Sequence, residues 1–402
     1  MTETAEAPVV TFPIARGCPF APPEEYRAIR EEPSLSKAKL PSGDDVWVVS
    51  RLDDARAALL ETKLSSGRGL PGFPTLQNGA RITPEDLPPS LIEMDPPQHG
   101  AARQTVIGEF TIRRMEALRP KIQAIVDERI DEMLTGPRPV DLMAALALPV
   151  PSLVICEMLG VPYEDHEFFQ SRSANLLSAT KTPQERYASF LEFNSYLDEL
   201  VTGKEADPGD DFIGRQIVKG REAGTYHHAA LVRMAFLLLI AGHETTANMI
   251  SLGTVALLEN PEQLAMIRAD SGKTLSAVEE LLRFISITDT ITVRLATEDV
   301  TIGAQTIRAG EGVLVLGYAA NSDPAAFERP EELDIERGAR HHVAFGFGPH
   351  QCLGQNLARL ELQIVFDTLF RRIPELRLTQ PVSGLKTKEA IIYGLRELPV
   401  TW

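Results

Sequence analysis

The chain has 402 residues, 44% of them hydrophobic and 24% charged, so it is long enough to bury a large core. Its formal net charge of -16 argues against nucleic acid as the main partner and against attraction to anionic membranes, because both need a basic surface. The three cysteines, Cys18, Cys156 and Cys352, are too few for a disulfide framework and predict a reducing, cytoplasmic location.

Hydrophobic periodicity predicts a mainly helical protein with small β-sheets near both ends. We expect a single domain over residues 1–402, with residues 1–15 as a flexible tail, no signal peptide and no membrane span. The first strand is predicted at Val46 to Val49. Helices are predicted at Ile107 to Leu134, Leu146 to Leu159, 164–204 and 228–259. Later strands are predicted at Ile291 to Ala296, Val300 to Ile302, Gly312 to Leu316 and Ala390 to Tyr393. Between them, residues 65–93 are rich in Gly and Pro, which is typical of a functional or mobile loop.

The apolar helix predicted from Leu231 to Glu259 is interrupted by a polar insertion, Gly242-His-Glu-Thr-Thr246. A buried Glu244 is costly in free energy unless it is paired or functional, and Gly242 permits a local kink. Thr245 either bonds back to the carbonyl four residues earlier or offers its hydroxyl for chemistry, and the residues alone leave both readings open.

The most informative segment is Phe345-Gly-Phe-Gly-Pro-His-Gln-Cys-Leu-Gly354. Its glycines let the backbone approach a flat ligand closely. A helical pattern starts directly afterwards, which places Cys352 at a helix N-terminus, where the dipole and free N–H groups favour thiolate and lower the pKa. Such a thiolate is the axial ligand that a haem iron needs for O–O cleavage. Cys156, in an apolar stretch, is expected to be a small core residue.

Two further pairs have helical spacing. Glu280 and Arg283 lie one turn apart, and His99 and Arg103 lie four residues apart, on one face if their segment is helical. Taken singly, such pairs are common on solvated helix faces.

With these motifs the sequence resembles the cytochrome P450 superfamily, in particular its soluble actinobacterial, Streptomyces-type members. The resemblance rests on ALPVPSLVIC (147–156), GVPYEDHEFF (160–169), FGFGPHQCLGQNLARLEL (345–362) and the closing LRELPVTW. It implies the P450 fold, with haem b (iron protoporphyrin IX) between the long central helix and the helix after the Cys352 loop. Cys352 would be the metal ligand.

The resemblance also implies roles for individual residues. Thr245 would hydrogen-bond the iron-bound peroxo group and Glu244 would relay protons, since O–O scission consumes two protons. Cofactor contacts are implied for Cys352, His99, Arg103, Arg294, His350, Phe345 and Gly346. Glu280 and Arg283 would form a buried structural pair with Arg329 or Arg337 as its third member. Substrate contacts are implied for Ile92, Leu237, Ile240, Ala241, Thr245, Thr290, Ile291 and Ile392, each of which could equally be a core residue.

The implied activity is that of a monooxygenase that hydroxylates or epoxidises a bulky, largely apolar molecule: a macrolide or polyketide, a statin-like lactone, a sterol or a xenobiotic. The chain shows no dinucleotide-binding glycine motif and no cysteine cluster, so we expect electrons from a ferredoxin and a ferredoxin reductase. Because ferredoxins are acidic, a basic patch is expected, including Arg113, Arg114 and Arg359. The alternatives are a peroxide-driven peroxygenase, against which the Glu244–Thr245 pair argues, and a non-catalytic haem-binding sensor. A monomer is expected.

Overall fold

The computed structural model describes residues 10–32, 35–76 and 87–402. Thirteen α-helices lie in these ranges: α1 Glu24–Glu31, α2 Leu52–Leu60, α3 Gln98–Val106, α4 Ile112–Thr135, α5 Pro149–Leu159, α6 His166–Leu177, α7 Pro183–Ala206, α8 Phe212–Ala223, α9 His228–Glu259, α10 Pro261–Ala269, α11 Thr274–Ile285, α12 Gly317–Asn321 and α13 Gln355–Arg372. The strands in the same ranges are β1 Val10–Thr11, β2 Ser36–Lys39, β3 Asp45–Val49, β4 Leu64–Ser65, β5 Val140–Asp141, β6 Thr290–Ala296, β7 Val300–Ile302, β8 Gln305–Ile307, β9 Gly312–Leu316, β10 Arg377–Leu378 and β11 Pro399–Thr401. The predicted class, mainly helical with small sheets, is confirmed.

Helix α9 runs through the centre of the protein. Within the described ranges it alone is long and apolar enough to cross a membrane, but it packs against α5, α7, α11 and α13, with Ile250, Leu252 and Val255 fully buried. The helix continues through Gly242 without a break. A Cβ at Gly242 would lie 2.9 Å from the Ile155 side chain, which means that the glycine serves the close approach of α5.

The strands form a six-stranded sheet in the order β1-β2-β3-β9-β6-β4, a three-stranded sheet β10-β11-β5 and the hairpin β7-β8. Strand β6 pairs antiparallel with β9, with an irregularity between Thr290 and Thr292. Val10–Thr11 pairs with β2, so part of the expected tail is ordered, and residues 1–9 lie outside the described residues.

The strand predicted at Ala390 to Tyr393 is wrong. Ala390 forms a single bridge with Ser178, while the Tyr393 N–H donates to the Ile287 carbonyl at 2.8 Å. Because consecutive backbone groups bond to different partners, no ladder forms, and the apolar residues are held as an irregular segment between α6 and α11.

Candidate active site

The loop that carries Cys352 closes on itself. The Cys352 backbone N–H donates to the Phe345 carbonyl at 2.8 Å, and Gly346 between them has φ 69°, a left-handed conformation that glycine adopts without steric cost. Helix α13 begins three residues after the cysteine, and the N–H groups of Gly354 and Gln355 hydrogen-bond its sulfur. The structure places the thiol at a helix N-terminus, as the helical pattern after Cys352 predicts.

Two opposing effects act on the Cys352 thiol. Cys352 as a residue is exposed, yet desolvation of its sulfur by the surrounding protein raises the thiol pKa above its ordinary value, while the Gly354 N–H, Arg103 and Arg359 lower it by less. The prediction that the pKa of the Cys352 thiol is lowered is therefore wrong for the protein alone. That prediction included the effect of the helix dipole but not the desolvation of the sulfur. Binding to a metal cation favours the thiolate outright.

Basic side chains surround this loop: His99, Arg103, Arg294 and His350. The His99 and His350 rings stack with their centroids 3.9 Å apart. Arg103 on α3 donates to the Gln351 carbonyl at 2.6 Å, which confirms that the His99–Arg103 segment is helical and faces the loop. Arg294 on β6 donates to the Ser66 hydroxyl, which is also 3.3 Å from His350 Nε2.

The cluster is short of negative charge. Burial, Arg294 and His99 lower the pKa of His350 to about 3, and burial lowers the pKa of Arg294 to about 10. Among the described residues, His99 Nε2 and Arg294 Nε have no hydrogen-bond partner. Arg294 is a buried cation with an unused N–H group, which suits it to an anionic ligand, because carboxylates accept charge-assisted hydrogen bonds from such groups.

The donor set fits a haem rather than a bare metal ion. Over residues 10–32, 35–76 and 87–402 there is no group of three or more His, Cys, Asp or Glu side chains that could hold a metal. A haem brings its own four nitrogen ligands, so the protein would need to supply one donor for the iron, which Cys352 would provide, and partners for two propionates, which the basic cluster would provide. The residues present therefore match this cofactor.

One face of α9 is only partly covered by other parts of the protein. Ala241 is exposed although it lies in the middle of a buried helix, and Leu237 and Ile240 are only partly buried. Leu237, Ala241 and Thr245 are four residues apart and share this face. Thr245 Oγ1 donates to the Ala241 carbonyl at 2.7 Å, which is the predicted bond to the carbonyl four residues earlier. The hydroxyl oxygen can still accept a hydrogen bond.

Glu244 points elsewhere. Its side chain is buried, and its Oε2 lies 2.8 Å from Lys388 Nζ, so the cost of burying the carboxylate is offset by an ion pair. Both residues line a cavity of about 320 Å³ together with Ser178, Glu389 and Arg396. The acid thus borders a space that it shares with three other charged side chains, those of Lys388, Glu389 and Arg396.

The residues predicted to contact substrate fall into three groups. Leu237, Ile240, Ala241 and Thr245 share the α9 face just described. Thr290 and Ile291 begin β6, and a Cβ at Gly346 would lie 3.8 Å from Ile291, which places this strand beside the Cys352 loop. Ile392 lines the cavity that contains Glu244.

Ile92 does not join these groups. It lies on the 3₁₀ turn Leu91–Glu93 and is 45% exposed. A separate cavity of about 400 Å³ is lined by Leu91, Met94 and Met234, among others, and by none of the eight predicted contacts. The 65–93 loop is described only outside residues 77–86.

The predicted buried pair is present and its third member is Arg337. Glu280 Oε1 lies 2.7 Å from Arg283 Nη2 and 3.0 Å from Arg337 Nε, and all three side chains are at most 8% exposed. Arg329 is on the surface and pairs with Glu332 instead. The cluster joins α11 to the irregular segment that leads to the Cys352 loop.

The three arginines of the expected basic patch differ in their surroundings. Arg359 is held by the buried Glu279, with Nε–Oε1 2.5 Å, and stacks on the Phe345 ring at 4.5 Å. Arg114 pairs with buried Glu109 at 2.9 Å. Arg113 is exposed, and no ion pair to it is found within the described ranges. Two of the three cations therefore have structural partners.

Several residues near the site were missed by sequence reasoning, including Ser66, Lys388 and Glu361. Burial raises the pKa of Glu361 on α13 to about 8, against a weaker opposing hydrogen bond from Thr246. An ionisable residue on an otherwise apolar helix face was the available signal for Glu361. Ser66 and Lys388 offered none, because their partners are distant in the chain.

Comparison with known proteins gives a consistent result. Residues 192–381 match the protein family described as cytochrome P450. The chain is 47% identical to pentalenic acid synthase of Streptomyces avermitilis and 44% identical to vitamin D3 dihydroxylase of Streptomyces griseolus, in each case over all of both chains.

Solved structures agree with the sequences. Cytochrome P450 MoxA of Nonomuraea recticatena is 56% identical with a TM-score of 0.90, over 98% of each chain. The methyl hydroxylase MycCI of Micromonospora griseorubida, bound to mycinamicin VIII, is 41% identical with a TM-score of 0.93, over 98% of this chain and 100% of that one.

Proposed function

This chain belongs to the cytochrome P450 family of haem monooxygenases, and on that premise we propose that it hydroxylates or epoxidises a bulky, largely apolar small molecule with O2 and two electrons from a ferredoxin. The observation that carries the proposal is the Cys352 thiol at the N-terminus of α13, flanked by the basic cluster. Haem b, held by Cys352 and by propionate contacts to that cluster, would supply O2 activation. Relatives named for pentalenic acid and vitamin D3 support a bulky apolar substrate.

The protein side chains would bind the substrate and move protons. Leu237, Ile240 and Ala241 offer apolar surface, whose burial contributes about 25 cal/mol per Å². Thr245 would accept and pass on a hydrogen bond at the reacting centre, and Glu244 would deliver protons from the cavity that it shares with Lys388. A hydroxyl backed by an acid is what a reaction that consumes two protons requires.

The test is the optical difference spectrum of the reduced protein with and without carbon monoxide, followed by turnover of vitamin D3 and macrolide probes with ferredoxin, ferredoxin reductase and NADPH. We expect the red-shifted Soret band of thiolate ligation and a hydroxylated product that requires ferredoxin. A spectrum of histidine ligation would refute the proposal. Equal rates with hydrogen peroxide alone would favour the peroxygenase, and binding without product from any probe would favour the sensor.

Replacing Thr245 by alanine is expected to uncouple electron use from product formation. Haem and substrate binding should persist, while product per NADPH falls by about 10²-fold and hydrogen peroxide is released, since 10²- to 10⁴-fold is typical for a lost proton-transfer group. The measurement is the ratio of product to NADPH consumed. Thr254→Ala is the matched control, because Thr254 makes the same back-bond to Ile250 in α9 at 2.8 Å. Unchanged coupling in Thr245→Ala would remove Thr245 from the mechanism.

We propose that ferredoxin docks beside the Cys352 loop at the start of α4. Asn356, four residues after Cys352, donates to the Phe110 carbonyl at 3.1 Å, which places the N-terminus of α4 next to that of α13. There Ile112 is 68% exposed and Arg113 is an exposed cation, so an apolar contact and a positive charge adjoin each other. Arg359, bound to Glu279, is less suited to this role than expected.

Charge reversal at Arg113 should slow ferredoxin-supported turnover. We expect Arg113→Glu to lower the rate about tenfold at low ionic strength, because charges near an interface act mainly on association, and the difference should shrink as salt screens it. Peroxide-supported turnover should be unchanged. Arg308→Glu is the control, because Arg308 lies directly after the hairpin β7-β8 and its side chain is 70% exposed. A loss of similar size in both assays, or in the control, would refute docking at α4.

A further inference from the structure

The N-terminal segment contributes a cation to the protein interior. The Arg16 side chain is 2% exposed and donates to the carbonyls of Ile285 at 2.8 Å and Ser286 at 2.5 Å. These carbonyls lie at the C-terminal end of α11, where backbone acceptors lack helical partners and the helix dipole is negative. Ser286 is also one of the few non-glycine residues with positive φ, at 43°. Arg16 therefore satisfies and fixes a helix end that turns sharply.

The same guanidinium lies between two aromatic rings. Its central carbon is 4.1 Å from the Tyr318 ring centroid and 4.4 Å from that of Tyr393, distances at which a cation and a ring face attract each other. Asp289 supplies the counter-charge at 3.7 Å and also accepts a hydrogen bond from the Tyr26 hydroxyl. The arrangement uses the planar shape of arginine, which a lysine ammonium lacks.

These contacts reach two segments that are far apart in sequence. Asp289 immediately precedes Thr290 and Ile291, and Tyr393 immediately follows Ile392. The segments are also joined to each other, because the Tyr393 N–H donates to the Ile287 carbonyl at 2.8 Å. Arg16 thus touches both segments at positions adjacent to residues proposed to contact substrate.

We infer that Arg16 is a positioning residue of the substrate pocket, which fixes the start of β6 and the 390–396 segment relative to each other without touching substrate. The inference rests on the proposed function, since it assumes that Thr290, Ile291 and Ile392 face the substrate. A pocket whose walls are held in place binds more tightly because less ordering remains to be done on binding. Loss of Arg16 should therefore weaken ligands that reach these walls and spare ligands that bind the iron alone.

The experiment compares two azoles on the haem-loaded protein by optical titration. Imidazole reports on the iron, and 4-phenylimidazole adds an apolar ring that extends into the pocket. For Arg16→Met we expect the dissociation constant of 4-phenylimidazole to rise about tenfold, and that of imidazole to stay within twofold. Arg16→Lys should behave like Arg16→Met, because the ammonium cannot stack between two rings while donating to both carbonyls. Arg27→Met is the control, since Arg27 forms an exposed pair with Glu24 on the neighbouring α1.

Hydrogen exchange of the same variants separates positioning from general stabilisation. Amides of residues 285–293 and 390–396 should exchange about tenfold faster in Arg16→Lys, while those of α13 keep the wild-type rate. Three outcomes would each overturn the inference: equal weakening of both azoles, uniform acceleration of exchange, or wild-type behaviour of Arg16→Lys. If Arg16→Met does not fold, Arg16→Lys alone provides the test. If the wild type itself binds neither azole at iron, that result contradicts the proposed haem enzyme rather than the role of Arg16.

Discussion

Replacing Cys352 by serine will remove the red-shifted Soret band of the carbon monoxide adduct and, with it, product formation. Serine has nearly the same shape, and its oxygen can accept hydrogen bonds from the Gly354 and Gln355 N–H groups that contact the sulfur, so the loop should keep its conformation. What is lost is the electron-donating thiolate, which promotes O–O cleavage. The effect is expected to be complete because the described residues offer no second thiol near the loop: Cys156 is buried beside α9, and burial raises its pKa to about 12.

The measurement is the reduced, carbon monoxide-bound spectrum at equal haem content, together with product from the ferredoxin-supported assay. Cys18→Ser is the matched control, because Cys18 is exposed and lies in the N-terminal segment. Cys352→His should give the spectrum of histidine ligation. A thiolate band that survives in Cys352→Ser would show that another residue ligates the iron, and the mechanism proposed above would then be wrong.

The long helices and the cysteine loop were accessible from the sequence because both carry local patterns. Helix α9 shows apolar periodicity over about nine turns, and Val300–Ile302 and Gly312–Leu316 were predicted at their observed bounds. The two-residue strands β5 and β10 were missed because so short a segment has no period to detect.

The contacts that complete the site are long-range, and local patterns do not encode them. Lys388 meets Glu244 across 144 residues, Arg359 meets Glu279 across 80, and Arg16 meets Ser286 across 270. In each case a side chain that reads as an ordinary surface charge is the partner of a buried group. The structure thus assigns these residues structural contacts that the sequence does not indicate. The difference is largest for Arg16, which lies next to a segment expected to be a flexible tail.

The Thr245 hydroxyl shows a different limit. The sequence left open whether Thr245 bonds to the Ala241 carbonyl or serves the chemistry, and the structure shows the bond to the carbonyl. That bond uses the hydroxyl proton and leaves the oxygen able to accept a hydrogen bond, so the proposed role of Thr245 in the chemistry remains a prediction.

Replacing Arg283 by methionine is expected to have the largest effect on stability. Arg283 is fully buried and donates to both oxygens of Glu280 and to the carbonyls of Asn321, Pro330 and Glu332, at 2.7 to 3.2 Å. Its loss leaves these buried acceptors without the donor that Arg283 provides, and Arg337 remains as the cation paired with Glu280. Breaking a buried ion pair on one side costs about 3 to 5 kcal/mol, because the surviving charge stays desolvated.

The consequence should extend to the cofactor. The Asn321 side chain accepts the Val343 N–H at 2.8 Å, two residues before the Cys352 loop begins, and donates to Ser286 at 2.8 Å. The carbonyl of that same Asn321 is one of the acceptors of Arg283, so the cluster fixes the path of the chain into the loop. We therefore expect Arg283→Met to bind haem poorly as well as to unfold at lower urea concentration.

The chain provides its own control for this prediction. Arg329 forms an exposed pair with Glu332, a residue whose carbonyl also serves the buried cluster, and exposed pairs contribute about 0 to 1 kcal/mol. Urea unfolding of Arg283→Met, Arg337→Met and Arg329→Met should therefore rank the losses in that order. A loss for Arg329→Met as large as that for Arg283→Met would mean that the whole 321–337 segment, rather than the buried carboxylate of Glu280, determines the stability of this part of the fold.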